Sequence, residues 1–544
     1  MIRIHDNKST MNWYSSKINY AAYIILAIFA FYINYFFANI GVYPIDTFSF
    51  FDSGYLITQG YHPIKDFWVI SGIFVDYLQA LFFLIFGYNW NAYIIHSSIL
   101  NVSVSVFLFF FLNKLSNNLY TNFILSICFA TLCYPVSGTP FPYQHSYILS
   151  LISIMIFYLA VYKGSKKYWI ALPIFMLFSF LSMQLPSGLI NFLILIFVLV
   201  FYLNSKNFVL TPFILGSIVS ILILILYFLL IKTEIKDFII QLILFPLTIG
   251  EGRILGEERA YDSANLLKRL TFRGTFGHFK FIVILILANL AITIYYLKKY
   301  KKQFSKKKVL INLFLLLCSL SFIFHQLITA NQTFIFSLIP LLSGLFIFQL
   351  KDYFNFSGKK TILFLIIINF FVTLKYHNEY NLNRKFMDLK NINLTNAVEA
   401  KNLDTKFNNL KWITPYHFKD NPEKELKLLE EAILKISNEN EEEVALITHY
   451  QFFSVLIDKK IYILNRWYFP RNNTHPTNTE NKYYQHYNDR INNFIEKKKI
   501  KKIYLVKTYP KEFWFINFKE ILNNTCFEEK KHNEILYSIN IKNC

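Results

Sequence analysis

Between Ile18 and Tyr376 the chain is a row of apolar runs, each about as long as a helix needs to be to cross a bilayer. A hydrocarbon layer of ~30 Å takes about 20 apolar residues wound as a helix. The runs fall at 20–40, 69–87, 93–113, 119–134, 145–163, 168–185, 187–204, 208–231, 279–297, 309–325, 332–350 and 361–376. From Lys375 onward the composition turns to Asn, Lys and Glu. Only 16% of the 544 residues are charged, against about 25% in soluble domains. Two solvents are therefore predicted for one chain. Residues 1–376 form an α-helical polytopic membrane domain, and 377–544 form a small α/β soluble domain.

Charge orients the spans. Lysines cluster at Lys163/Lys166/Lys167, Lys206, Lys298 to Lys308 and Lys351/Lys359/Lys360, and two apolar runs separate each cluster from the next. All four clusters then lie on one side, which the positive-inside rule makes cytoplasmic. Arg3, Lys8 and Lys17 place the N-terminus there too. Twelve crossings would put it on the other side, so one run must not cross. The run 69–87, which holds Asp76 and Gln79 after a long polar stretch, is predicted to lie at the outer interface. About eleven spans remain, with an outer C-terminal domain. No small-residue cleavage site follows the first run, which is expected to stay as a span. The net charge of +21 is largely these loop lysines. No basic stripe interleaved with aromatics marks a soluble element, so no nucleic-acid partner is expected.

The unusual polar residues fall on the predicted outer face. The first outer loop reads YPIDTFSFFDSGYLITQGYHPIKDFWVISG from Tyr43 to Gly72. Asp46 and Asp52 stand just beyond the first span, and Lys65 and Asp66 follow. Carboxylates at a membrane interface are costly to dehydrate. They suit a general base for an acceptor hydroxyl, or ligands of a divalent ion. The plainer reading has Asp46 capping a short helix and Asp52 solvated.

An acidic residue after the first span, Phe51-Asp52-Ser53-Gly54, Gly60-Tyr61-His62-Pro63-Ile64-Lys65-Asp66-Phe67-Trp68, and an apolar helix ending in Phe86-Gly87 together resemble the GT-C superfamily. These polytopic glycosyltransferases, which include the aminoarabinose transferases and protein O-mannosyltransferases, use polyprenyl-phosphate-linked sugars. The resemblance covers roughly residues 20–200. It implies that Asp46 or Asp52 is the catalytic base. It also implies a donor of the polyprenyl-phosphate-sugar type, an outer interfacial helix, and a second polar site in the loop after the third span. That loop, Pro135 to His145, contains no acid; Gln144 and His145 are its strong polar residues. The chain also has Ser71-Gly72 where such enzymes commonly carry a proline pair. A metal-independent mechanism is favoured over one using a divalent ion.

No arginine occurs between Arg3 and Arg253, yet Arg253, Arg259, Arg269 and Arg273 crowd the second long outer loop, with Lys268 among them. Guanidinium forks suit phosphate, and Gly250, Gly252 and Gly256 would let backbone approach an anion. The group is predicted to hold the donor phosphate together with Lys65, Asp66, Gln144 and His145. The competing reading pairs these arginines with Glu251, Glu257, Glu258 and Asp262.

In the polar tail, Asn421-Pro422 opens a helix with Leu426, Leu429, Ile433 and Ile436 on one face. Val444–Thr448, Lys460–Leu464 and Ile500–Val506 read as buried strands. Helices are predicted near 450–457, 481–497 and 511–522. Cys526 and Cys544 are predicted to bridge, since disulfides persist outside the cytoplasm. Asp458, Arg466, His449 and His475 are read as structural. The function predicted is sugar transfer from a polyprenyl-phosphate donor to an extracytoplasmic lipid, glycan or protein acceptor. The alternative is a membrane transporter or a flippase for lipid or polysaccharide. Against it, no run carries a mid-membrane charge pair and no pair of broken spans is evident.

Overall fold

The computed structural model describes residues 7–116, 118–135, 137–204, 210–255, 269–329, 335–356, 358–440, 443–457, 459–468, 473–477, 479–507 and 526–542. All twelve apolar runs contain helices. Among the described residues, eight helices are long and apolar enough to cross a membrane: Ile18–Ala38, Trp90–Leu115, Pro142–Lys163, Gln184–Asn204, Thr211–Ile231, Arg273–Tyr300, Lys306–Thr329 and Lys359–Leu382. Leu119–Cys133, Lys166–Ser182 and Leu338–Phe354 are shorter, at 15, 17 and 17 residues. The run around Asp76 forms a helix of only 14 residues, Ile73–Phe86, which begins at Gly72 and stops at Gly87. At ~1.5 Å per residue it spans about 21 Å, roughly a third short of a ~30 Å bilayer core.

The bundle is built around Pro142–Lys163, whose most apolar window is 94% buried, whereas Thr211–Ile231 at the periphery is 6% buried. An apolar helix with a buried face all round is a core helix; one exposed all round needs lipid. Lys166–Ser182 packs between the two, with Trp169 and Leu172 buried in the same core as Phe157 and Phe314.

The tail is an α/β domain. β1 (Val398–Glu399) and β2 (Lys411–Trp412) form a small antiparallel pair. A five-stranded sheet then runs in the order β4 (Ile461–Ile463), β3 (Val444–Thr448), β5 (Lys502–Val506), β7 (Leu536–Lys542), β6 (Cys526–Lys531). β3 is parallel to both β4 and β5, while β7 is antiparallel to β5 and β6. β3 is buried along its whole length, as expected of a central parallel strand. The Pro422–Ser437 helix starts as predicted: Asn421 Oδ1 accepts the Lys424 N–H at 3.0 Å. The predicted helix at 511–522 and the Cys526–Cys544 bridge lie outside the described residues and side chains. Cys128, Cys133 and Cys318 are free and buried.

This domain is welded to the loop that follows the Ile18–Ala38 helix. Phe48 packs on Trp412 and Phe452, with centroids 6.0 and 4.8 Å away, and Phe51 lies 5.8 Å from Phe407. Main-chain bonds join the halves at two places. Gly41 N donates to Lys411 O at 2.9 Å, and Trp68 N donates to Leu464 O at 2.8 Å. Strand-like pairing plus an aromatic core fixes the loop against the domain.

Candidate functional site

The motif from Gly60 to Trp68 folds as a braced turn. Asp66 Oδ2 accepts the His62 N–H at 2.8 Å, which closes the turn. Arg490 donates to the carbonyls of Ile64 and Lys65 and pairs with Asp237 at 2.7 Å. Gln241 spans the same loop, accepting from Val69 N at 3.0 Å and donating to Ile64 O at 3.2 Å. Trp68 is buried, with its indole N–H on Thr474 O at 2.9 Å. The Asp66 carboxylate is thus committed to a turn, while Lys65 stays exposed.

Phe51-Asp52-Ser53-Gly54 opens the Phe51–Thr58 helix, and three of its residues face three environments. Ser53 Oγ donates to Asp76 Oδ1 at 2.5 Å. Gly54 makes room for Gln79: a Cβ there would sit 2.7 Å from Gln79 Cγ. Asp52 is fully buried beside Ser454 and Val455. The Ser454 and Val455 groups pull its pKa down, but neither carboxylate oxygen reaches a hydrogen bond of good geometry. Burial wins and lifts Asp52 from 3.8 to about 8. The folded chain therefore holds a proton that the unfolded chain releases. Wild-type stability should be greatest in acid and decline by about 1.4 kcal/mol per pH unit as pH rises toward 8. Asp52→Asn should flatten that slope, as unfolding midpoints in detergent at about pH 5 and about pH 8 will show. An unchanged slope would mean that Asp52 is ionised in the fold.

Asp46, in the Pro44–Thr47 turn of helix, is only partly buried. Burial and the neighbouring Asp388 carboxylate raise it to about 7. Asp388 is exposed and hydrogen-bonded to Tyr43. Of the two predicted aspartates, Asp46 is the one that solvent reaches.

Sequence reasoning missed the most deeply buried ion pair of the region. Arg466 reaches from the C-terminal domain to Asp76, Nη1 to Oδ2 at 2.7 Å, and both are shielded from water. Arg466 also donates to Ser71 Oγ at 3.3 Å and lies 4.6 Å over the Phe50 ring. Burial pushes Asp76 up to about 6 even beside this cation. Ser71-Gly72 now has a reason. Gly72 has φ +79°, and a Cβ on it would lie 2.7 Å from Arg466 Nη1 and 2.9 Å from the Phe50 ring. Gly72→Ala should cost about 1–3 kcal/mol, combining left-handed strain with overpacking. A wild-type thermal midpoint for that variant would remove the argument.

The segment carrying Arg466 gathers the other predicted residues. Trp467 Nε1 donates to Ile45 O at 2.7 Å, next to Asp46. Its ring touches Phe141, 6.3 Å between centroids, and Phe141 leads through Tyr143 to His325. Asn473 Oδ1 accepts from Arg253 Nη2 at 3.3 Å, and the Arg253 charge lies within reach of His325. Trp467 thus contacts the Asp46 turn and Asn473 contacts Arg253, both from the C-terminal domain.

The remaining arginines behave differently. Arg269 Nη1 caps the Lys306–Thr329 helix at Leu327 O, 2.7 Å away. Arg273 is exposed at the start of a π-turn. Arg259 lies outside the described residues. Phe245–Leu255 is a helix, so Gly250 and Gly252 commit their backbone to helical bonds and offer no open cradle.

Gln144 Nε2 donates to Cys133 O, capping a helix end. His145 belongs to a buried row: its Nδ1 contacts Phe141 O at 2.8 Å, its Nε2 meets His96 Nε2 at 3.0 Å, and His96 Nδ1 meets Gln79 Oε1 at 2.9 Å. The protons can be counted along it. The carbonyl makes His145 Nδ1 a donor, so His145 Nε2 accepts and His96 Nε2 donates. His96 Nδ1 then needs a donor, which the otherwise unpartnered Gln79 Nε2 supplies when the amide is turned over. The row is closed with both imidazoles neutral, which is a structural use of His145.

Among the described residues no group of three or more His, Cys, Asp or Glu is placed to hold a metal ion. No protein-family model matches the chain, and no curated protein matches it.

Proposed function

We propose that the chain is a GT-C-type glycosyltransferase that moves a sugar from a polyprenyl-phosphate donor to an extracytoplasmic acceptor. In this reading about eleven helices span a bacterial inner membrane. The N-terminus is cytoplasmic, Ile73–Phe86 lies at the outer interface, and the C-terminal domain is outside. The observation that carries it is the partly buried Asp46, in the turn where Trp467 of the C-terminal domain donates to Ile45 O, while Asn473 of the same domain accepts from Arg253.

The chemistry balances with these groups. The acceptor oxygen attacks the anomeric carbon and its proton passes to the Asp46 carboxylate. The bond from that carbon to the phosphate oxygen breaks, and the electron pair leaves with polyprenyl phosphate. Arg253 faces the charge that develops there. Inversion at the anomeric carbon is expected from a single displacement. Asp52 has a different part, since its carboxyl is sealed from water.

The test is transfer from a panel of radiolabelled polyprenyl-phosphate sugars, using membrane vesicles that carry the protein and supply the acceptor. Label should move from one donor into a lipid, glycan or protein product. Label that crosses the vesicle membrane still attached to its carrier would instead make the protein a flippase.

A further inference from the structure

A recess of about 160 Å³ opens at the lysine-rich end of the bundle, away from the outer loops. It lies where the Pro142–Lys163, Lys306–Thr329 and Leu338–Phe354 helices meet. Lys308 there is already neutralised: its Nζ stands 2.8 Å from Asp352 Oδ2 and 5.5 Å over the Tyr353 ring. Lys307 is different. Its ammonium reaches only the carbonyl oxygen of Tyr162, at 3.4 Å, and among the described residues it has no carboxylate partner. Two lysines and one aspartate leave the lining at a net +1.

We propose that this recess holds the phosphodiester of an anionic membrane phospholipid. Three properties point to that ligand. A phosphodiester carries one negative charge and would neutralise the lining. The volume equals about five waters at about 30 Å³ each, which is room for a headgroup and too little for a second lipid. The recess lies at the ends of apolar helices, at headgroup depth, and its Ser305 follows the lysine-rich stretch from Lys298 in sequence. Basic pockets between helices on such a face collect acidic lipid heads. Ser305, Tyr158 and Tyr162 also line the space, and each carries a hydroxyl able to donate to non-bridging oxygens. The inference does not rest on the proposed transferase activity.

Native mass spectrometry of the full chain, released from nanodiscs of mixed phosphatidylglycerol and phosphatidylcholine, tests it. The wild type should retain one phosphatidylglycerol in preference to phosphatidylcholine. Lys307→Gln should weaken that retention about fivefold, the effect of one lysine near a lipid surface. Lys307→Arg should keep it. Lys301→Gln, a change outside the recess, should leave it intact. Equal retention by wild type and Lys307→Gln would overturn the site. An equal loss in Lys301→Gln would reduce it to general surface charge and overturn it as well. Retention of inorganic phosphate with no lipid would overturn the lipid assignment.

Discussion

Arg466→Met should destabilise the protein by about 3–5 kcal/mol, the cost of leaving a buried charge without its partner. The variant strands the Asp76 carboxylate in a site with no water, and removes the cation over the Phe50 ring. Asp76 would then answer by taking a proton. Its folded pKa, already raised to about 6, would rise further above the unfolded value of 3.8. The stability of the variant should therefore be better preserved in acid and lost as pH rises through that higher pKa. The double variant Asp76→Leu/Arg466→Met removes both charges and should recover most of the loss, because an apolar pair pays no desolvation. Unfolding midpoints in detergent for the two singles and the double decide it. Arg466→Met melting with the wild type would mean that the pair contributes nothing to holding the domain on the loop.

Asp46→Asn should lower sugar transfer about 10²–10⁴-fold, the usual contribution of a positioned proton acceptor. The fold should survive, since Asn fills the same partly open site. A base must lose its proton before it can accept one, so wild-type kcat/KM should rise with pH and level off above about 7. The neighbouring Asp388 carboxylate raises that value by repulsion. Asp388→Asn should move the rising limb toward acid without abolishing transfer. Transfer by Asp46→Asn at the wild-type rate would eliminate Asp46 as the base. The same assay on Asp52→Asn should show activity retained.

The helices were legible because length and apolarity are local properties. Each of the twelve runs contains one. The strands at 444–448 and 502–506 were legible for a similar reason, being short apolar stretches between polar turns. The Asn421 cap followed from residue chemistry alone. Asp76 was a partial signal. A carboxylate in an apolar helix demands a partner, but nothing in the local sequence says which. The partner stands 390 positions away, in a segment that looks like ordinary polar chain.

By itself, then, the sequence determined where the chain turns apolar, which runs become helices, and that the run holding Asp76 and Gln79 is the polar exception among its neighbours. Only the tertiary structure decided how the conspicuous residues are used. It sealed Asp52, left Asp46 partly exposed, used Asp66, Gln144 and Arg269 on turns and helix ends, and set Arg253 against Asn473 of the C-terminal domain. The physical reason is the range of the forces involved. Helix formation is settled within a few turns of chain, whereas the solvation and pairing of a charge depend on whatever the docked domain places beside it.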